Sequence, residues 1–178
     1  MTDSRPWLEQ YPSGLPANID TSQYPTLLSF LDEVFKKYKN QTAFINMDKS
    51  ITYGEADEMS THLAAYLHSR GLHPGDRIAI MMPNLLQSPI ALFGAIKAGL
   101  IVVNTNPLYT PREMKHQFVD SEVKAIIIAD MFAANLQKIL KETEIETIIL
   151  TSIGEMIGGL KGAIVDLVVR KVKKMVPS

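Results

Sequence analysis

Asn84, Asn104, Thr105 and Asn106 are the residues of this chain best placed to meet a ligand. Asn84 belongs to the run Pro83-Asn84-Leu85-Leu86-Gln87-Ser88. The others belong to Asn104-Thr105-Asn106-Pro107-Leu108-Tyr109. Each run follows an apolar, strand-like stretch, and open α/β sheets bind ligands beyond the carboxyl ends of their strands. Carboxamides and a hydroxyl there can both donate to and accept from a polar substrate. Asn and Thr serve turn backbone equally well, so the pattern carries both readings.

Other chemistries fail on residue type or spacing. Without cysteine there is no thiol nucleophile and no disulfide framework. Gly154-Glu155-Met156-Ile157-Gly158-Gly159-Leu160-Lys161 approaches a phosphate-binding loop. That loop needs lysine directly after its second glycine, then Ser or Thr for magnesium. Here Leu160 intervenes and Gly162 follows, so the glycines form no phosphate cradle. No GxGxxG or GxSxG sequence occurs. His62 and His68 stand six apart, which is not one helical face, and His73 lies in a turn. No Cys or carboxylate cluster accompanies these histidines or His116. No catalytic residue and no metal ligand is assigned.

The elements that must hold the two loops alternate between strand and helix. Arg77–Met82 is almost wholly apolar, as in a strand buried on both faces. Leu85–Ala98 reads as a helix closed by Gly99, and Leu100–Val103 as the next buried strand. Thr110-Pro111-Arg112-Glu113 is a capping box opening a helix to about Asp120. Lys124–Ala129 is a third strand, Asp130 is placed to cap a helix over 131–143, and Thr147–Leu150 is a fourth strand. Upstream, Pro25 suits a helix start. Thr42–Met47 and Ile51–Tyr53 read as a hairpin around Asp48 and Lys49, and Gly54–Arg70 as a helix stopped by Gly71. The fold class is α/β: a parallel or mostly parallel sheet with flanking helices. Three segments are expected: an irregular lead-in over 1–23, an α/β core over 24–153, and a basic amphipathic tail over 154–178.

The net charge is −1, which argues against a general nucleic-acid binder. The tail carries five basic and two acidic residues, so it is +3 and the remainder −4. Ile157, Leu160, Ile164, Leu167, Val168, Val172 and Met175 form its apolar stripe. The stripe can pack on the core, lie on a membrane surface, or meet an acidic partner. Arg170, Lys171, Lys173 and Lys174 are the candidate membrane contacts. The first twenty residues hold no apolar core of a signal peptide, and no run reaches the roughly 20 apolar residues of a membrane span. A cytoplasmic setting is expected, with peripheral contact at the inner face of the membrane as an extension.

Several runs together carry a resemblance: Tyr24-Pro25-Thr26-Leu27, Ile51-Thr52-Tyr53-Gly54-Glu55, Gly75-Asp76-Arg77-Ile78-Ala79, Met82-Pro83-Asn84 and Ala91–Asn106. In this order and spacing the chain resembles the bacterial long-chain fatty acid–CoA ligases, within the adenylate-forming superfamily. The Asn104–Thr110 loop and the Val168–Pro177 tail resemble the long-chain branch. The resemblance implies a partial amino-terminal lobe of the adenylate-forming fold. It implies a reaction in which ATP and a long-chain fatty acid give an acyl-adenylate and pyrophosphate, and coenzyme A then displaces AMP. ATP, Mg and CoA are the implied cofactors. The phosphate loop, adenine segment, ribose-binding aspartate and late lysine of that family have no counterpart among these 178 residues. The implied role is a fragment without chemistry of its own, with apolar surface that promotes self-association. The alternative is a non-catalytic membrane- or partner-docking module.

Overall fold

Four parallel strands in the order β4-β3-β5-β6 carry the fold. They are β3 (Arg77–Met81), β4 (Ile101–Asn104), β5 (Val123–Ala129) and β6 (Thr147–Thr151). The structure, a computed structural model, describes residues 5–176. Alternate residues of the central strands feed two cores. Ile78, Ile80, Ala125 and Ile127 face α2 (Tyr53–Ser69) and α3 (Gln87–Lys97). Ala79, Met81, Ile126 and Ile128 face α4 (Pro111–Asp120) and α5 (Ala133–Ile139). A period of two with both faces apolar is what a doubly covered strand requires. The chain runs from β3 out to β4, then returns across β3 to β5. The order therefore reverses between β3 and β5, as in doubly wound sheets.

A third core joins α1 (Leu27–Lys37) to this body through Leu31, Phe35, Ile51 and Ile90. Beside it stands an antiparallel hairpin of β1 (Thr42–Asn46) and β2 (Lys49–Thr52). α2 and α3 pack tightly at Gly94, where a Cβ would come 2.7 Å from a Leu63 methyl.

Several sequence expectations shift. Pro25 lies outside α1; Thr26 is the N-cap and shares a capping box with Ser29. Side-chain capping satisfies an amide that proline merely lacks, so Thr26 sets the start. Met47 and Asp48 take the left-handed turn, and Lys49 is already in β2. Ile101–Asn104 is an edge strand, and Ile101 is exposed rather than buried. α3 starts two residues later than expected, at Gln87. Asp130 caps nothing, because its carboxylate is held by Arg170 at 2.5 Å. The helix expected over 131–143 breaks into a 3-10 turn, α5 and a second 3-10 turn. Within the lead-in, Pro6–Gln10 forms a 3-10 turn. The capping box at Thr110 and Glu113 forms as read.

Asp76 ties together the starts of three strands. It lies just before β3, and its carboxylate accepts from Lys124 Nζ of β5 at 2.7 Å and from the His73 amide at 2.8 Å. Its carbonyl accepts from the Ile101 amide of β4 at 2.9 Å. The Lys124 bond first, and then the His73 amide, hold the Asp76 carboxyl below its ordinary range. A depressed carboxyl contributes stability above its unfolded value, about 3.9, and loses it as pH falls toward its folded value. Asp76→Asn is expected to lower stability by about 1 kcal/mol at pH 7. Urea melts will show that gap closing as pH falls from about 4 toward the native carboxyl's depressed value, because the unfolded chain takes up the proton first.

Candidate functional site

The loops leaving β3 and β4 open into one cleft of about 490 Å³. It brings together Asn84, Asn104, Thr105 and Asn106, all four residues singled out from the sequence. Ile80, Met82, Leu92 and Phe93 form its apolar floor and wall, and Phe44 of the hairpin closes another side. The Phe44 and Phe93 rings stand 6.2 Å apart. Asn46 Nδ2 donates to the Asn84 carbonyl at 3.2 Å and fixes the hairpin against the loop.

The four polar residues divide by what they already hold. Thr105 is buried; its amide donates to the Ile80 carbonyl at 3.0 Å and its hydroxyl to the Val103 carbonyl at 3.3 Å. Asn106 Oδ1 accepts from the Leu108 amide at 3.0 Å, an Asx turn. These two side chains serve the loop. The side-chain amides of Asn84 and Asn104 have no hydrogen-bond partner among the described residues, and both residues are exposed. The Asn104 carbonyl is held by Gln117 Nε2 at 3.2 Å. Ser88 also locks the first loop, its hydroxyl donating to the Pro83 carbonyl at 2.8 Å and accepting from the Leu85 amide at 3.0 Å. Two free carboxamides over an apolar floor can orient a substrate with one polar and one apolar portion. They carry no charge and no titrating proton.

Sequence reasoning missed Phe44 and Phe93. Both are apolar residues that read as ordinary core, and only the tertiary seating of the hairpin makes them cleft walls.

The other half of the strands' carboxyl side is taken by the tail. α6 (Gly159–Leu167) continues into a wider π turn, Val168–Val172. Gly154 and Gly162 meet backbone to backbone, and a Cβ on either would collide with the other's carbonyl oxygen. The glycines of the near-miss phosphate loop thus seat a helix. Asp166 accepts from the Ser152 hydroxyl at 2.7 Å and the Gly154 amide at 2.8 Å. Lys161 Nζ donates to the Met47 carbonyl at 2.6 Å and to Asp48 at 3.0 Å. Gln87 Nε2 reaches from α3 to the Thr151 hydroxyl at 3.1 Å and the Ser152 carbonyl at 2.8 Å. Arg170 binds Asp130, while Lys171, Lys173 and Lys174 are exposed. Of the stripe, Leu160, Ile164, Leu167, Val172 and Met175 face outward and Ile157 is buried. The stripe is not packed as core.

Residues 31–165 match the family described as AMP-binding enzyme. The chain belongs to that family. It is 47% identical over 172 residues to a long-chain-fatty-acid–CoA ligase of Yersinia pestis, covering 96% of this chain and 31% of that protein. The corresponding ligase of Bacillus subtilis is 35% identical over 153 residues, 86% of this chain and 27% of that protein. Among solved structures, the anthranilate CoA ligase AuaEII, in complex with anthranoyl-AMP, superposes with a TM-score of 0.71 at 20% identity. That match covers 75% of this chain and 27% of the other, and it shows a shared fold. The chain spans about a third of the length of the curated relatives it matches.

Gly162→Ala is expected to cost about 1–3 kcal/mol in the seating of α6, because the backbone must part to admit the methyl. Limited proteolysis will show faster cleavage within 159–172, with the sheet's urea midpoint little changed.

Proposed function

We propose that this chain is the first α/β portion of a long-chain fatty acid–CoA ligase and scaffolds the fatty-acid side of its active site. The observation that carries this reading is the 47% identity that runs through 96% of the chain. The cleft supports it chemically. Its Phe, Leu, Ile and Met walls suit an alkyl portion, and the Asn84 and Asn104 amides suit a neutral polar one. ATP, Mg and CoA are the cofactors of the reaction proposed, which joins a fatty acid to CoA through an acyl-adenylate. Transfer to a carboxylate sets anion against triphosphate, so it calls for cationic and hydrogen-bond stabilisation of the developing charge. The cleft residues do not fit that group: they are neutral, and no cluster of three metal-binding side chains occurs among the described residues. No reaction step is therefore assigned to this chain's residues. In this reading the chain shapes and orients, and the chemistry belongs to segments outside these 178 residues.

Pyrophosphate exchange with palmitate tests this. The chain alone is expected to give none. A chimera, in which these residues replace the matching 172 of the Yersinia pestis relative, is expected to exchange and to form palmitoyl-CoA. Exchange by the 178-residue chain alone, or a folded chimera that binds no palmitate, would overturn the reading.

A second reading concerns the tail. Exposed apolar residues from Leu160 to Met175 sit beside Arg170, Lys171, Lys173 and Lys174. That combination suits peripheral contact with an anionic membrane surface, at the inner face of the cell membrane for a cytoplasmic protein. No helix among the described residues is long and apolar enough to cross a membrane. Sedimentation with phosphatidylglycerol vesicles is expected to pull the chain down at low salt. Reversal of Lys171, Lys173 and Lys174 to Glu is expected to reduce binding at least tenfold, and unchanged binding would sink the idea.

A further inference from the structure

The stretch that follows α6 is held by one side chain. Up to Asp166 the helix is fastened by Gly162 against Gly154 and by the Asp166 carboxylate on the Gly154 amide. Beyond it, no residue from Leu167 to Val176 is buried, and only Val169 and Val176 are even half-buried. Among the described residues, the one side-chain bond from this stretch to the rest of the chain runs from Arg170 to Asp130, at 2.5 Å. The Asp130 side chain is only 10% exposed, at the end of β5, and its Oδ1 has no partner among the described residues.

The backbone of this stretch takes two disfavoured forms. Val168–Val172 is a π turn, closed by the Lys173 amide on the Val168 carbonyl at 2.8 Å. It holds no glycine or proline that would impose a break, so its own sequence would carry α6 onward with α-helical bonds. Lys174 stands at φ 50°, in the left-handed region that a side chain disfavours. With both forms in place, Arg170 reaches Asp130, and Val176 lies on the groove lined by Ile148 and Leu150.

We propose that residues 168–176 form a strap with two positions, and that Arg170 on Asp130 is its latch. Latched, the strap keeps the π turn and the left-handed Lys174 and walls one side of the groove. Released, Val168–Val172 relaxes to α-helix, Lys174 leaves the left-handed region, and the strap swings off the groove. A π turn takes up one extra residue, so its loss rotates everything beyond it by about 100° around the helix axis. The two positions oppose each other in kind. The latch gains an ion pair but retains two disfavoured backbone forms. Release regains regular helix and the hydration of Arg170 but leaves Asp130 unpaired. Opposed terms of this kind make an element bistable rather than gradually deformable. The inference uses contacts within this chain only and stands apart from the ligase and membrane readings.

The absence of native cysteine lets spin labels report the strap's position. With Lys138→Cys on α5 and Lys173→Cys on the strap, pulsed distance measurement is expected to show two populations. Raising salt from about 0.1 M to about 1 M shortens the screening length from about 10 Å to about 3 Å, and is expected to raise the released population about threefold. Arg170→Gln is expected to be released already at low salt and to respond to salt no further. Lys174→Gly tests the backbone half independently. Glycine accepts the left-handed turn, so the ratio of latched to released is expected to rise about threefold, whereas Lys174→Ala, with the same loss of charge, gives no such rise. A single distance at every salt concentration, an Arg170→Gln chain that keeps the latched distance, or a Lys174→Gly chain no different from Lys174→Ala would each overturn the proposal.

Discussion

Burial of both faces of the sheet is the constraint on which the rest of this structure depends. β3 and β5 present apolar side chains in both directions, and Ile78, Ala79, Met81, Ile126 and Ile128 are all sealed from solvent. A strand of this kind is stable only with helices above and below. Parallel neighbours must also be joined by crossovers, which in nearly all folds take one hand. Moving outward to β4 and then back to β5 therefore sends α3 to one face and α4 to the other. The amino ends of the strands are fastened by Asp76, which ties β3, β4 and β5 through one residue. What remains for function is the carboxyl ends of the strands and the two outer edges.

The carboxyl side is divided between an open cleft and a seated helix. Over β3 and β4 the loops are short, locked by Ser88, Thr105 and Asn106, and leave two amides unused. Over β5 and β6 the tail helix fills the space, drawn in by the contact of Gly154 with Gly162 and by Asp166. Gln87 links the two halves by reaching from the start of α3 to the end of β6. A ligand that enters this side meets a cleft bounded by hairpin, α3 and loops, rather than the reversal point between β3 and β5.

What was legible in the sequence follows from how local each signal is. The capping box at Thr110 and Glu113 depends on residues three apart, and it formed as read. The apolar period placed all four sheet strands to within a residue or two, and the strand–loop rule brought Asn84, Asn104, Thr105 and Asn106 to one cleft. Signals failed where a distant residue decides. Asp130 looks like a cap, but Arg170, forty residues away, takes its carboxylate. Leu100–Val103 reads as a buried strand, yet its outer side has no neighbour among the described residues, and apolar content alone does not separate edge from centre. Phe44 could not be assigned to the cleft, because nothing in its own hairpin says where that hairpin will sit.

The tail shows why an amphipathic stripe is a weak guide to packing. Its seven apolar positions suggest a helix held by burial, yet most of them point outward. The segment is held instead by Lys161 on Asp48, Asp166 on Ser152 and Gly154, and Arg170 on Asp130. The last of these is not a comfortable contact. Asp130 is nearly buried, and its Oδ1 has no partner among the described residues, so Arg170 alone offsets the charge. Buried carboxylates left half-satisfied are costly. A segment fastened by polar contacts and facing outward with apolar ones leaves that apolar surface exposed. Arg170 and Val176 of the same segment line an open groove with Ile148 and Leu150 of β6, so the polar anchor of the tail, rather than its apolar stripe, is what lies beside that strand.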